Sequence, residues 1–320
     1  MSETKQRNIA IDVLKFVAVF MVMNSHMELC YPKYDVLATG GAIGDALFFF
    51  ASGFTLFLGK HMRFDNWYKR RINRIYPSIL ATAIVVFVFW GFSENIGDIL
   101  IGRRYWFIGC ILVYYILLYP IKEYKEGKYA PRLMALGGGL CIAVYFCFFN
   151  NGESFYSSGG LFRCFAYFLI MLQGAIMGKQ MDTYHYKHIH VLLLLISVGL
   201  WFALFFIWKN SWLLLISFVP LLGITRYLYL VCCAPIFKRL YNGIVTGNVL
   251  YIISQLCLEV YLIQKFVFTD ALNHLFPLNI PIIMVCVIGV AYLVKVFSNF
   301  ISQTFRTEPY EWGKMLLYKS

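Results

Sequence analysis

The chain has 320 residues, of which 60% are hydrophobic and 14% charged, with a mean hydropathy of +0.68 and a formal net charge of +12. This apolar content excludes a soluble globular domain and predicts a membrane protein. The net positive charge is better explained by basic loops beside membrane spans, which anionic lipids attract, than by nucleic-acid binding. We therefore expect membrane lipids as partners and no nucleic acid.

Apolar stretches of about 20 residues, the length needed to cross a bilayer, recur along the chain. They predict an all-α polytopic membrane protein with about ten transmembrane helices. The predicted spans are 8–28, 39–59, 75–93, 105–121, 133–150, 160–178, 190–208, 211–230, 248–269 and 279–301. Since no shift in composition marks a second domain, residues 1–320 are predicted to form one membrane domain with no attached extramembrane domain.

The lysines and arginines are distributed unequally between the loops. Twenty of the 28 fall on the side that carries the N-terminus, the segment after the second span and the C-terminus. Short cytoplasmic loops collect basic residues. Both termini are therefore predicted to be cytoplasmic.

The first predicted span contains Asp12 and Lys15 and reaches His26 after ten uncharged residues. On a helix, the 11-residue step from Lys15 to His26 turns about 1,100°, close to three full turns, and covers about 16 Å. A polar stripe of this kind faces the bundle interior or an aqueous cavity. Taken alone, Asp12 and Lys15 also fit an interfacial ion pair, and His26 fits a hydrogen-bonded packing residue.

The segment "WYKRRINRIYP" places three arginines immediately before the third predicted span, and these are Arg70, Arg71 and Arg74. A basic cytoplasmic loop explains such a segment by topology alone. The density of guanidinium groups also suits phosphate binding, because each presents a fork of N–H donors.

Further polar residues interrupt later spans. Asp45 and Ser52 lie in the second span, where Ser52 also fits close helix packing. Arg163 lies in the sixth span, and Glu259 and Lys265 lie in the ninth. Ionisable groups at such positions are costly in lipid and mark functional sites in membrane proteins.

Two other features are interpreted as structural. Nine cysteines, most of them within or beside spans, are expected to be apolar packing residues rather than disulfides. The histidines of "HYKHIH" have a spacing that suits a metal, but a solvated turn is the favoured interpretation. No metal site is predicted.

Together the motifs resemble the acyltransferase-3 family of integral-membrane acyltransferases. The resemblance covers nearly the whole chain and rests on "KFVAVFMVMNSH", "FFFASGF", "KRRINRIYP", "YWFIGCILVYYIL" and "CLEVYLIQ". The family places arginine or lysine eleven residues before the histidine; Lys15 keeps the charge but lacks the bidentate fork of arginine. Gln264 stands where many relatives have histidine, and it cannot serve as an acid or base.

The resemblance implies transfer of an acyl group, most often acetyl, from cytoplasmic acyl-CoA to a sugar hydroxyl of the bacterial envelope, in the inner membrane. His26 is then the predicted general base, with Asp45 or Glu259 orienting its ring. The residues predicted to bind acyl-CoA are Lys15, Arg70, Arg71 and Arg74, and those predicted to bind substrate are Asp12, Ser52, Trp106, Arg163 and Gln264. A covalent acyl-histidine intermediate is left open.

Two alternatives remain at this point. Intramembrane charges also mark the pathways of transporters and flippases, which have no use for acyl-CoA. A sensor or scaffold would need its polar residues only to join helices. The acceptor is also left open between a lipopolysaccharide sugar, a capsular or exopolysaccharide unit, peptidoglycan and a lipid-linked glycan.

Overall fold

The computed structural model describes residues 7–59, 61–91, 96–100, 105–148, 161–208, 212–304 and 308–319. Every regular element in these ranges is helical, as predicted. The α-helices are α1 Ile9–Asn24, α2 Gly41–Leu56, α3 Phe64–Trp90, α4 Ile96–Leu100, α5 Trp106–Glu123, α6 Ala130–Phe148, α7 Leu161–Lys179, α8 Ile189–Ile207, α9 Phe218–Cys232, α10 Pro235–Asn242, α11 Ile244–Gln255, α12 Cys257–Val267 and α13 Asn279–Thr304.

Several of these helices are suited to cross a membrane. The described stretches that are long and apolar enough number six, namely Asp35–Leu56, Phe64–Trp90, Trp106–Gly127, Ile189–Ile207, Leu213–Cys232 and Asn279–Thr304. The pair α11 and α12 is bent by 77° and gives a seventh if it forms one broken span. The chain is thus an all-α, multi-pass membrane protein, and the total of about ten spans stays a prediction.

The first predicted span differs from the structure at its end. Its helix, α1, ends at Asn24, whose side-chain amide donates to the carbonyls of Leu37 and Thr39 at 2.7 and 3.0 Å. These bonds fasten the following loop across the end of α1. His26 consequently lies in the turn after α1, and the prediction of a continuous helix through residue 28 is wrong.

Two other spans depart from their predicted form. Helix α3 begins at Phe64, well before residue 75, because the basic segment is itself helical and buries Trp67. The predicted ninth span, 248–269, is two helices that meet at a bend. The span ends predicted at residues 93, 150, 160 and 211 lie outside the described residues.

Close packing of α2 against α7 brings two backbones into contact within the bundle. A Cβ atom on Gly174 would overlap the carbonyl of Phe50, and one on Gly53 would overlap the carbonyl of Met171. Small residues allow this approach, as is common between membrane helices. Helix α1 packs against α2, α9, α11 and α12, so that its polar residues are enclosed by neighbouring helices.

We expect Gly174→Ala to lower the stability of the bundle by about 1–3 kcal/mol, because the added methyl group has no space against α2. The measurement is the thermal unfolding temperature of the purified protein in detergent. The matched control is Gly138→Ala in α6, where an added Cβ meets no atom within 4 Å. Equal unfolding temperatures for the two variants would contradict the packing argument.

Candidate active site

A cavity of about 240 Å³ lies between α1, α2, α3, α5, α11, α12 and α13. Its charged lining residues are Lys15, Arg71, Arg74, Lys295 and Glu259, and we call it the basic cavity. Four cations against one carboxylate leave a net positive charge. A positively charged pocket with low-dielectric walls attracts anions such as phosphates.

Arg71 is held in this cavity by an aromatic side chain. Its guanidinium lies 4.5 Å from the ring centroid of the buried Trp67. The Arg71 Nε is buried and has no hydrogen-bond partner among the described residues. Ser52 and Tyr115 also line the cavity, with 3.1 Å between their hydroxyl oxygens. The Trp67 ring therefore holds the Arg71 guanidinium at the cavity.

Glu259 is fully buried at the wall of the basic cavity. Its Oε1 accepts hydrogen bonds from Ser78 Oγ at 2.6 Å and from Lys295 Nζ at 2.9 Å. The Ser78 hydroxyl lies 2.9 Å from that of Ser298. These bonds direct the carboxylate to α3 and α13, and the structure does not bring Glu259 to His26 as the sequence analysis expected.

The three predicted phosphate-binding arginines do not all meet in one cavity. Arg70 lines a second depression of about 350 Å³, which we call the basic groove. The basic groove and the basic cavity share Arg74 and Lys295 in their linings. The arginines therefore follow a path from the groove, through Arg74, to Arg71 in the cavity.

His26 lies in a separate cavity of about 180 Å³, which we call the histidine cavity. It is lined by His26, Tyr105, Trp106, Tyr261, Leu262, Gln264, Lys265 and Phe266. The side-chain oxygen of Gln264 is buried and has no hydrogen-bond partner among the residues the structure describes. The predicted substrate residues Trp106 and Gln264 are thus brought together with His26.

Asp45 and Arg163 form an ion pair next to the histidine cavity. Their side chains are 3.1 Å apart, and the Arg163 guanidinium lies 3.7 Å from the ring centroid of Trp106. The Arg163 Nε is buried without a partner in the described part of the chain. The Asp45 carboxylate therefore positions the Arg163 guanidinium, which in turn packs against the Trp106 ring. No hydrogen bond joins Asp45 to His26, contrary to one expectation from the sequence.

An aromatic partition formed by Tyr105, Phe107 and Tyr261 separates the two cavities. Tyr261 lines both of them, and its ring centroid lies 5.8 Å from that of Tyr105 and 5.4 Å from that of Phe107. Lys15 and His26 are thus in adjoining cavities rather than along one open path. The sequence analysis did not select Tyr105 or Tyr261, although both lie in or beside the quoted motifs.

Asp12 lines neither cavity and does not pair with Lys15. Its carboxylate accepts hydrogen bonds from Arg7 and from the Tyr241 hydroxyl, the latter at 3.1 Å. Burial and the Asp12 carboxylate raise the pKa of Tyr241 to about 12, so that its hydroxyl stays protonated and donates. Lys319 donates to the Tyr241 carbonyl. Asp12 thus joins the two terminal regions at one end of the bundle, and its predicted role in substrate binding finds no support in this placement.

In the "HYKHIH" segment, residues 185–187 are irregular, His188 lies in a turn and Ile189 begins α8, so the predicted turn covers only part of the segment. The rings of His188 and His190 hydrogen-bond to Tyr186 and to the Lys187 backbone, each at 3.1 Å. Among the described residues, no group of three histidine, cysteine or acidic side chains is arranged to hold a metal ion.

We expect Lys295→Met to lower stability by about 3–5 kcal/mol, because it leaves the Glu259 carboxylate buried without a cation. The double variant Glu259→Gln, Lys295→Met should recover most of this loss, since it removes the uncompensated charge. Thermal unfolding in detergent measures both effects. A double variant that is less stable than Lys295→Met alone would refute this account of the pair.

The sequence model of one protein family, described as an acyltransferase domain, matches residues 8–296. The match covers nearly the whole chain and includes the residues that line both cavities. Comparisons with curated proteins and with solved structures give no match.

Proposed function

The chain belongs to the acyltransferase-3 family of membrane acyltransferases, and we propose that it transfers an acyl group, most often acetyl in this family, from acyl-CoA to a hydroxyl of an envelope carbohydrate. One observation carries the proposal: a cation-rich cavity adjoins a cavity that contains a histidine, with a single aromatic partition between them. The first suits the phosphates and acyl arm of the donor. The second suits a sugar and a general base.

In this proposal the chain crosses the bacterial inner membrane about ten times, with both termini in the cytoplasm. Two observations support the orientation. Basic residues are concentrated in the loops of one side. The N-terminal and C-terminal regions also lie on the same side, because Tyr241 binds both Asp12, the partner of Arg7, and Lys319. This contact lies at the N-terminal end of α1, which is the end nearer to the basic cavity. Acyl-CoA then enters the basic cavity from the cytoplasm, and the carbohydrate enters the histidine cavity from the other side.

The donor is held by charge and by shape. The CoA phosphates bind Arg70 and Arg74 in the basic groove and Arg71 at the cavity, because guanidinium groups form charge-assisted hydrogen bonds to phosphate oxygens. The pantetheine arm then extends past Lys15 and Ser52 towards the aromatic partition. This arrangement places the thioester close to the histidine cavity.

The transfer itself needs a base and an oxyanion donor. His26 makes no side-chain hydrogen bond to the described residues, which leaves a ring nitrogen free to take the proton from the acceptor hydroxyl. The hydroxyl oxygen forms a bond to the thioester carbonyl carbon, the C–S bond breaks, and the CoA thiolate receives the proton from the imidazolium. Arg163, which Asp45 holds against the cavity residue Trp106, stabilises the oxyanion. An acyl-histidine route uses the same groups, and trapping of labelled enzyme distinguishes the two.

We expect His26→Ala to reduce transfer from labelled acetyl-CoA at least about 100-fold, because the general base is lost, while acetyl-CoA binding is retained. The assay uses purified protein in detergent with a panel of envelope glycans. The matched control is His274→Ala, since the exposed His274 ring hydrogen-bonds to the Ala271 carbonyl and lies outside both cavities. Full activity of His26→Ala would exclude His26 from the chemistry.

We expect the double variant Arg71→Gln, Arg74→Gln to weaken acetyl-CoA binding at least about tenfold and to reduce its salt dependence, because two phosphate contacts are lost. Equilibrium binding to the purified protein measures this. Arg132→Gln is the control, since Arg132 lies against Tyr129 outside the basic cavity and groove. If the unmodified protein bound no acyl-CoA at all, the alternative of a transporter or flippase would replace the proposed function.

A further inference from the structure

We infer that the histidine cavity selects an acceptor that carries a negative charge, a phosphate or a carboxylate on the sugar, and that Lys265 is the residue that determines this specificity. The inference rests on the proposed function, in which the histidine cavity receives the acceptor. It goes further by assigning a charge to the acceptor and a role to a lysine that the proposed mechanism does not use.

The lining of the histidine cavity is positively charged. Lys265 projects from α12 into this lining, and none of the described lining residues is acidic. No ion pair or hydrogen bond joins the Lys265 ammonium to another described residue. The Lys265 side chain is exposed, so its ammonium is open to a ligand that enters the cavity. A ligand of opposite charge gains a favourable electrostatic contact there.

None of the acidic residues that the structure describes near the cavity compensates Lys265. Asp45 is bound to Arg163 at 3.1 Å. Glu259 is bound to Lys295 at 2.9 Å on the far side of the aromatic partition. In the loops at this end, Glu28 and Asp270 lie near Cys30 and do not line the cavity. Within the described part of the lining, the local charge of the cavity is therefore set by Lys265.

Two neighbouring side chains suit the uncharged part of a sugar. The Gln264 oxygen is buried and unpartnered in the described structure, although a buried acceptor is normally hydrogen-bonded. A sugar hydroxyl supplies the missing donor. Trp106, held by Arg163, provides an apolar face beside it.

These contacts explain why charge is the discriminating feature. A neutral sugar satisfies Gln264 and Trp106 and leaves Lys265 unpaired. An anionic sugar satisfies all three residues. The difference between the two ligands is one charge-assisted contact in a partly enclosed site.

The test is binding of matched sugar pairs to the purified full-length protein in detergent, measured by saturation-transfer NMR titration. One pair is N-acetylglucosamine 1-phosphate against N-acetylglucosamine, and the other is methyl glucuronide against methyl glucoside. We expect the anionic member of at least one pair to bind at least about tenfold more tightly. The pair that shows the preference identifies the anion as phosphate or carboxylate.

The variants test whether Lys265 is responsible. Lys265→Met should abolish the preference, and Lys265→Arg should keep it, which also shows that the position tolerates substitution. Lys33→Met is the matched control, since Lys33 is exposed in the loop after α1 and does not line the cavity. Three results overturn the inference: equal binding within both pairs, a preference that survives in Lys265→Met, and no binding of any of the four sugars.

Failure of the inference is distinguishable from failure of the proposed function. Binding and consumption of labelled acetyl-CoA are measured on the same preparations. A protein that uses acetyl-CoA but binds neutral and anionic sugars equally retains the proposed function and loses only the charge selection. A protein that binds no acetyl-CoA loses the proposed function itself.

Discussion

The structure depends on how charged side chains are compensated inside an apolar bundle. A charge removed from water is costly unless a partner of opposite sign and further hydrogen bonds replace the lost solvent. Each of three buried carboxylates has a cationic partner: Asp12 pairs with Arg7, Asp45 with Arg163 and Glu259 with Lys295. These pairs fix the terminal regions, the wall of the histidine cavity and the wall of the basic cavity.

The compensated pairs also define which cations remain for ligands. With the carboxylates already bound, Arg71 and Lys265 have no acidic partner among the described residues. Both lie in cavities, where an anionic ligand supplies the missing charge. The same rule therefore accounts for the donor side and for the acceptor side. In each cavity, ion-paired residues form part of the wall, and one cation, Arg71 in the basic cavity or Lys265 in the histidine cavity, has no acidic partner among the described residues.

The aromatic partition gives the proposed chemistry its geometry. Tyr261 belongs to both cavities and stands between Tyr105 and Phe107. A donor and an acceptor that approach from opposite sides need to meet only at this layer, and neither has to cross the bundle. Large apolar rings also exclude water, which limits hydrolysis of a reactive thioester.

The sequence by itself determined the membrane class, the helical fold and the family, because apolar length and motif order are properties of the chain alone. It did not determine which charges pair. Asp12 and Lys15 are neighbours in sequence, yet Asp12 binds Arg7 and Tyr241, and Glu259 binds Lys295 on α13 rather than serving His26. Only the tertiary structure decided the pairings of Asp12 with Tyr241 and of Glu259 with Lys295, because in each pair the partner comes from a helix that is distant in sequence.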